Sequence, residues 1–369
     1  MSRGPDSNPS AVVAAVTATT AEPAKPMAHI GDMAPAADVE RSSESTAGPA
    51  ATATQTKAPG IGTMTVRAAS EATAGPQGLC GFLLLDKPAG LTSHACVAKV
   101  RRCYGLKRVG HGGTLDPAVT GLLPIALGPA TRLLPYLNDG KSYRGVVRLG
   151  LTTSSDDLEG ELLRQSPVPP LDHQTIELAL AHFRGSILQR PPQVSAVHVD
   201  GERAYVRARR GETMELALRP VTLHRLELLA WDPERSELEL AVDCSAGTYI
   251  RSLARDLGER LGCGGTLAWL RRTAALGFDL ASAIPLERLE LAPPPPLLDP
   301  LTALNHLGRR ALTDLELIPW RCGRALVDSE LQPADTAVAV VAADGQLAGI
   351  ARADGSGLLL PRLVFAAAG

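Results

Sequence analysis

The sequence predicts an α+β fold with two folded units. Short strand-like runs and separate helical segments follow one another irregularly, without the regular strand–helix–strand repeat of a parallel α/β sheet. Residues 221–231 and 237–244 alternate polar and apolar side chains around a polar turn, which predicts a β-hairpin. A chain of 369 residues, 45% of them apolar, is long enough for two domains with a sizeable core.

Composition divides the chain into four parts. Residues 1–77 are rich in Ala, Thr, Pro, Ser and Gly and contain no aromatic residue. They cannot bury enough apolar area to offset the entropy of ordering, so we predict a disordered extension. Residues 78–291 are predicted to form the main domain, and the proline-rich run 292–300 a stiff linker. Residues 301–369 are predicted to form a small β domain.

Buried runs and capping residues predict the elements of the main domain. Strands are expected at Gly81–Asp86, at Gly121–Gly128 and at Tyr143–Leu149, and Pro124 favours an edge or a bulge in the second of them. Ser93 is the expected N-cap of a helix that runs to Tyr104 and stops at Gly105. Asp172 is the expected N-cap of a second helix that runs to Phe183. A further helix is predicted over Tyr249–Leu261, with Arg255 and Glu259 as a surface pair. In the last part, Thr336–Ala342, Gln346–Arg352 and Leu358–Phe365 predict three strands.

Charge and cysteine content exclude several classes. The net charge of −2, from 37 basic and 39 acidic residues, excludes a uniformly basic protein but allows a local basic face. No apolar run is long enough to cross a membrane. The six cysteines form no C-x-x-C pair, so we expect no structural metal and reduced thiols in the cytoplasm. Organelle targeting is the weaker alternative, because residues 1–77 carry seven acidic residues and five basic ones.

The most informative stretch is the glycine-rich run 110–117, with the sequence GHGGTLDP. It fits neither the G-x-G-x-x-G pattern, because Leu115 occupies the sixth position, nor a phosphate-binding loop with G-K-[S/T]. Glycines allow the backbone to approach a ligand closely, and Pro117 biases Asp116 towards an extended conformation. The run therefore predicts either an ordinary glycine-rich turn or a loop that presents one carboxylate to a ligand.

Several motifs in collinear order decide between these alternatives. Over about residues 80–290 the chain resembles the TruB family of tRNA pseudouridine-55 synthases. The motifs that carry the resemblance are GFLLLDKPAGLTS at 81–93, HGGTLDP at 111–117, GLLPIALG at 121–128, KSYR at 141–144, CSAGTYIR at 244–251 and LRR at 270–272.

The resemblance implies a fold and an activity. The fold is a mixed-sheet α+β pseudouridine synthase core at 78–291, followed by a PUA-like RNA-binding β domain at 301–369. The activity is isomerisation of uridine to pseudouridine at position 55 in the T-loop of tRNA, on a flipped-out base. The chain is expected to work as a monomer, with tRNA as its partner, no membrane, no cofactor and no metal. Two alternatives stay open: a pseudouridine synthase for another RNA, and an RNA-binding chaperone that helps tRNA fold.

The resemblance also assigns roles to single residues. Asp116 is the expected catalytic nucleophile, and Arg251 holds it ionised. Tyr143 packs on the target base and takes the proton from C5. Substrate binding is expected from Tyr249 and Leu270, which line the uracil pocket, and from His111, which fills the space that the base leaves. Whether Asp116 attacks the base or the sugar stays open.

Phosphate contacts are expected from clustered basic residues, with a solvated charged surface as the alternative. The candidates are Arg101, Arg102, Lys107, Arg108, Arg203, Arg207, Arg209, Arg210, Arg271 and Arg272.

Overall fold

The structure, a computed structural model, describes residues 78–328 and 330–365. The predicted extension 1–77 lies outside these residues. The helices are α1 Ser93–Tyr104, α2 His173–Ala181, α3 Ala204–Arg209, α4 Ile250–Arg260, α5 Pro300–Ala303 and α6 Asp314–Arg321. The strands are β1 Gly81–Lys87, β2 Val109–His111, β3 Thr120–Leu127, β4 Lys141–Leu149, β5 Leu151–Thr153, β6 Leu162–Gln165, β7 Gly185–Gln189, β8 His198–Val199, β9 Glu202–Arg203, β10 Arg219–Asp232, β11 Glu237–Cys244, β12 Gly265–Ala275, β13 Phe278–Asp279, β14 Ile284–Pro285, β15 Gly308–Ala311, β16 Leu326–Val327, β17 Ala337–Val341, β18 Leu347–Ala353 and β19 Leu358–Val364.

A mixed ten-stranded sheet is the centre of the main domain. Its main path runs β14-β1-β3-β12-β4-β11-β10-β7, with β2 added to β3 and β13 to β12. Most neighbours are antiparallel, whereas β12 pairs with β3, and β14 with β1, in parallel. The path is not in sequence order, which fits the irregular alternation of strands and helices in the sequence. The α+β prediction is therefore confirmed.

Both faces of this sheet are covered, and β1 shows how. Leu83 and Leu85 face a core that includes residues of α1, α2 and α4, whereas Phe82 and Leu84 face a second core. Since side chains along a strand point alternately to its two faces, a strand that is covered on both sides must be apolar throughout. Residues 82–85, with the sequence FLLL, meet that requirement.

The C-terminal unit is a second sheet of five strands in the order β15-β17-β18-β19-β16. Trp320 of α6 is completely buried against it, and its indole N–H donates to the carbonyl of Ala348 at 2.9 Å. The second core of the main sheet continues into this unit, because it contains Ala339 and Ile350. The two sheets therefore share apolar side chains.

The proline-rich run 292–300 is attached to the main sheet. Leu298 and Phe82 exchange two backbone hydrogen bonds of 3.0 and 2.7 Å, and the Tyr104 hydroxyl donates to the carbonyl of Pro295 at 2.6 Å. Asp299 then caps α5 through the backbone N–H of Leu301. These bonds fix the path of the chain between the two sheets.

Three local expectations are wrong. Thr92, not Ser93, is the N-cap of α1. Pro124 does not lie in an edge strand: β3 pairs with β1 along its length, with β12 at Thr120 and with β2 from Ile125 onward. On the side of β3 away from β1, Pro124 lies between the segment paired with β12 and the segment paired with β2. A proline there removes no inter-strand hydrogen bond, because its missing N–H would have no partner strand. Arg255 binds Asp156 at 2.8 Å rather than Glu259.

Two chemical properties complete the description. In the described part of the chain, no helix has both the length and the apolar character needed to cross a membrane. The six cysteines are all free thiols: three are buried, Cys80 and Cys103 are half-buried, and Cys322 is exposed.

Candidate active site

The loop between β2 and β3 is fixed at several points. Ser93 is buried at the start of α1, and its hydroxyl bonds both the N–H and the carbonyl of Leu115, at 2.8 and 3.1 Å. The carbonyl of Pro117 accepts from the Lys87 ammonium at 3.0 Å and from the backbone N–H of Gly90 at 2.9 Å. Asp116 therefore lies between two anchored residues, at the place where the sequence predicts a presented carboxylate.

The Asp116 carboxylate meets a guanidinium from α4. Arg251 Nη2 lies 2.9 Å from Asp116 Oδ2. The Arg251 side chain is 9% exposed, whereas that of Asp116 is 43% exposed. The acid is thus ion-paired on one side and accessible to solvent on the other, which is the arrangement a carboxylate needs to meet a ligand.

The other donors of Arg251 are also occupied. Nη1 donates to the carbonyl of Ser155 at 3.0 Å and lies 3.5 Å from Asp157 Oδ2, and Nη2 donates to the carbonyl of Val194 at 2.9 Å. A guanidinium has a planar, fixed set of donors, so partners on three segments fix its orientation. Arg251 thus contacts Asp116, and its role of keeping the acid ionised stays a prediction.

The start of α4 is held by β7. The buried side chain of Gln189, the last residue of β7, accepts from the backbone N–H of Tyr249 at 2.8 Å and donates to its carbonyl at 3.1 Å. Tyr249 is the N-cap of α4 and its own side chain does not cap the helix. Gln189 therefore sets the position of the turn that presents Tyr249 and Arg251.

Tyr143 lies on β4, in the interior of the sheet. It is 8% exposed, and burial raises the pKa of its hydroxyl, an effect that Arg272 opposes. Burial likewise raises the pKa of Tyr249. The negative charge of Asp116 contributes to the rise for both tyrosines, which places both hydroxyls within electrostatic reach of the acid.

Leu270 is buried on β12, opposite Gly145 of β4. A side chain at position 145 would press on Leu270, since a Cβ there would lie 3.0 Å from the leucine Cδ1. Leu270 and Tyr143 belong to one apolar cluster. The structure thus brings Asp116, Arg251, Tyr143, Tyr249 and Leu270 to one side of the sheet.

His111 lies at the other end of the loop, at the end of β2. Its ring packs edge-on against His94, with the ring centroids 5.2 Å apart and the planes at 86°. Burial lowers the pKa of His111, and His94 and Arg272 lower it further. His111 is connected to Asp116 through the anchored loop rather than by direct contact.

The predicted phosphate contacts differ in their partners. Arg101, Arg108 and Arg203 donate to the Val109 carbonyl, the Thr131 hydroxyl and the Ala196 carbonyl. Arg102 and Lys107 are exposed, with no ion pair among residues 78–328 and 330–365. Arg209 is exposed and its guanidinium lies 5.5 Å from the Tyr205 ring. Other candidates have acidic partners: Arg207 binds Asp200 and Glu212, Arg210 binds Glu202 and Glu212, and Arg271 binds Asp86.

For Arg272 the expectation of a phosphate contact is wrong. Its side chain is completely buried in the sheet, because the bulky guanidinium packs behind the glycine loop instead of reaching solvent. The sequence shows two adjacent arginines at 271 and 272, but neighbouring residues on a strand point to opposite faces.

Sequence reasoning missed several residues that build this site. Lys87, Ser93, Asp157 and Gln189 all hold Asp116, Arg251 or their neighbours in place. Lys87 offered a signal in the sequence, because the ammonium of a lysine at the end of a mostly apolar strand needs buried hydrogen-bond acceptors. Gln189 offered none, since its partner follows sixty residues later. Within residues 78–328 and 330–365 no cluster of His, Cys, Asp and Glu could hold a metal ion.

Comparison with known families decides the class of the protein. Residues 101–250 match the TruB family pseudouridylate synthase N-terminal domain, and residues 251–293 match the tRNA pseudouridylate synthase B C-terminal domain. The chain belongs to the TruB family of pseudouridylate synthases. The two matches meet between Ile250 and Arg251, in the first turn of α4.

Curated relatives support the same membership in this family. A tRNA pseudouridine synthase B of Parasynechococcus marenigrum (strain WH8102) is 66% identical over 289 residues, which are 78% of this chain and 98% of that protein. The tRNA pseudouridine synthase B of Prochlorococcus marinus (strain MIT 9313) is 51% identical over 315 residues, with the same coverage.

Solved structures show the TruB fold at lower sequence similarity. A crystal structure of a Cbf5-Nop10-Gar1 complex contains a chain with a TM-score of 0.59 and 23% identity, over 81% of this chain and 91% of the other. The fold is therefore the mixed-sheet pseudouridine synthase core, followed by a small PUA-like β domain.

Proposed function

We propose that this protein isomerises uridine to pseudouridine at position 55 in the T-loop of tRNA. The observation that carries the proposal is the 2.9 Å contact between Asp116 and Arg251 at an anchored loop in a TruB family chain. The 66% identical relative is named a tRNA pseudouridine synthase B, which supports tRNA as the substrate. We include in the proposal a monomer that acts in the cytoplasm.

The reaction needs few groups. The bond between uracil N1 and ribose C1′ breaks, a bond between C5 and C1′ forms, C5 loses its proton and N1 gains one. Asp116 is the proposed nucleophile, and its side chain is 43% exposed, so that a base can reach it. The guanidinium of Arg251, at 2.9 Å, favours the negatively charged carboxylate that a nucleophile must be.

The target base must leave its stack, which costs a few kcal/mol. Contacts with Tyr143, Tyr249 and Leu270 are proposed to offset this cost, since stacking on an aromatic ring contributes about 1–3 kcal/mol per base. His111, at the far end of the loop, is proposed to fill the space that the base leaves. The hydroxyl of Tyr143 is proposed to take the C5 proton.

The two folded units are proposed to divide the work. Residues 78–291 would carry catalysis, and 301–369 would add contacts to the RNA beyond the T-loop. Arg102, Lys107 and Arg209 are the best candidates for phosphate contacts, because they are exposed and make neither an ion pair nor a side-chain hydrogen bond in the part of the chain that the structure describes. Phosphate contacts fix the position of an RNA without reading its sequence.

Asp116→Asn tests the proposal directly. It removes the nucleophile but keeps the size of the side chain, so pseudouridine formation in a tRNA transcript should fall at least about a thousandfold. Binding of the transcript, measured by filter retention, should stay within about threefold, because the phosphate contacts remain. Glu290→Gln is the matched control, since Glu290 is exposed and, among the described residues, pairs only with Lys99.

Turnover is read by tritium release from C5-labelled uridine, and the position by carbodiimide-stop primer extension. Near-normal turnover of Asp116→Asn would overturn the assignment of the nucleophile. Product at a site other than position 55, or only in another RNA, would overturn the proposed substrate.

A further inference from the structure

Arg272 is the buried cation that the proposed reaction leaves without a role. It is 0% exposed, although it follows Arg271 in a motif that predicts a phosphate contact. In the register of the sheet, Arg272 of β12 lies directly opposite Tyr143 of β4. Residues that face each other across neighbouring strands share one face of the sheet, with their Cβ atoms about 4.5–5.5 Å apart.

Two of the three guanidinium nitrogens of Arg272 are fixed. Nε donates to the carbonyl of Leu122 on β3 at 2.7 Å, and Nη2 donates to the carbonyl of Gly113 in the glycine loop at 3.1 Å. Nη1 is buried and has no hydrogen-bond partner within residues 78–328 and 330–365. Burying a charged donor without a hydrogen-bond partner costs free energy. We therefore look for a group near Nη1 that can become its partner when the substrate is bound.

The charged and titratable groups around Arg272 indicate which of them can be the partner of Nη1. Within residues 78–328 and 330–365 no carboxylate forms an ion pair with it. The positive charge of Arg272 acts on three other titratable groups. Together with burial, it lowers the pKa of Lys87 on β1, of His111 on β2 and of Lys141 on β4. Tyr143 is the group that its charge favours in the anionic form, and the two residues face each other across β4 and β12.

We propose that Arg272 is a positioning residue, which holds the glycine loop through the carbonyl of Gly113 and orients the Tyr143 hydroxyl through Nη1. The inference rests on the proposed function, because it gives Tyr143 a defined orientation towards the C5 proton of the base. One side chain would then couple the loop that carries Asp116 to the residue that packs on the base. The cation also opposes the effect of burial on Tyr143 and so favours tyrosinate, the form that can accept a proton.

The decisive experiment compares Arg272→Lys and Arg272→Gln in two backgrounds, wild type and Tyr143→Phe. In the wild-type background each variant should slow single-turnover pseudouridine formation about 10- to 100-fold, the size of one hydrogen bond to a charged group. In the Tyr143→Phe background the same substitutions should slow it several-fold less than in the wild type, because only the hold on the glycine loop is then lost. Binding of the tRNA should not change in either background.

A purely structural role gives a different result. If Arg272 only supports the loop, its substitution slows the reaction equally with and without the Tyr143 hydroxyl, and the proposal is overturned. Arg148→Gln is the control, because Arg148 lies on β4, as Tyr143 does, but pairs with Glu237. It should change no rate in either background.

A spectroscopic readout covers the case in which the Arg272 variants do not fold. In protein with ¹⁵N-labelled arginine, Tyr143→Phe should shift the Arg272 side-chain resonances, and those of Arg148 should stay in place. Unmoved Arg272 resonances would overturn the pairing. Absence of pseudouridine from wild-type reactions would instead overturn the proposed function, and the resonance shift would still report the pairing.

Discussion

Asp116 and Arg251 owe their contact to residues that do no chemistry. Ser93 and Lys87 fix the two neighbours of Asp116, while the carbonyls of Ser155 and Val194 fix the guanidinium. Each of these bonds comes from a different segment of the chain. A side chain held from several directions loses little further entropy when a substrate binds, which is the physical basis of a preorganised site.

His111 makes the stability of this loop depend on pH. Because burial lowers the pKa of His111, the unfolded chain takes up a proton first as the pH falls below about 6.5. The stabilising effect of the neutral ring is complete above that pH and is lost as the pH falls through the folded-state pKa. We expect the free energy of unfolding to decrease between about pH 7 and pH 5.

Urea titrations across this pH range provide the measurement. His111→Gln should flatten the pH dependence, whereas His224→Gln, at an exposed position on β10, should leave it as in the wild type. Identical slopes for wild type and His111→Gln would show that the ring does not titrate differently in the folded chain.

At the scale of elements, α4 and β12 pack with their backbones in contact. Gly258 of α4 faces Gly265 of β12, and a Cβ at position 258 would overlap the backbone of Gly264 and Gly265. The helix carries Arg251, and the strand carries Leu270 and Arg272. The close approach therefore sets the distance between the base pocket and the guanidinium that meets Asp116.

Gly258→Ala tests this close approach. The added methyl group forces the helix and the strand apart, so we expect about 1–3 kcal/mol of lost stability by chemical denaturation, although alanine favours the helix. Turnover should fall as well, because Arg251 moves with the helix. Glu259→Ala, one residue further and exposed, should change neither quantity. Wild-type stability of Gly258→Ala would mean that the backbones are not in contact.

At the scale of the whole molecule, the main sheet and the C-terminal sheet share one apolar core. The second core joins Phe82 and Leu122 of the main sheet to Leu301, Ala339 and Ile350 beyond the proline-rich run. Separating the sheets would expose this shared apolar surface to water, at about 25 cal/mol per Å². We therefore expect a single unfolding transition rather than one for each unit.

Ile350→Ala measures this coupling. Ile350 is completely buried in the shared core, so its truncation should cost about 2–5 kcal/mol and lower the one transition that fluorescence and circular dichroism both follow. Val327→Ala is the control in the same sheet, because Val327 is 72% exposed. Two separate transitions, with only one of them lowered, would show that the units fold independently.

Local patterns predict the fold better than they predict the site. The apolar run at β1, the hairpin β10–β11, the cap at Asp172 and the turn at Gly345 have causes within a few residues, and the structure has all four. Pro124 and Arg255 have partners far away in sequence, so their environments could not be read locally. The same holds for Arg272, whose burial depends on three strands meeting behind one loop. The functional roles of Asp116, Arg251, Tyr143, Tyr249, Leu270 and His111 stay predictions.

The different exposure of the six thiols allows one of them to be labelled selectively. Burial raises the pKa of Cys80 and of Cys244 to about 11, and it also raises the pKa of Cys96, Cys103 and Cys263, which keeps the reactive thiolate scarce. Cys322 follows α6 and is open to solvent. A maleimide dye should therefore attach at Cys322 first, without mutagenesis, and report by energy transfer how the C-terminal sheet approaches a labelled RNA.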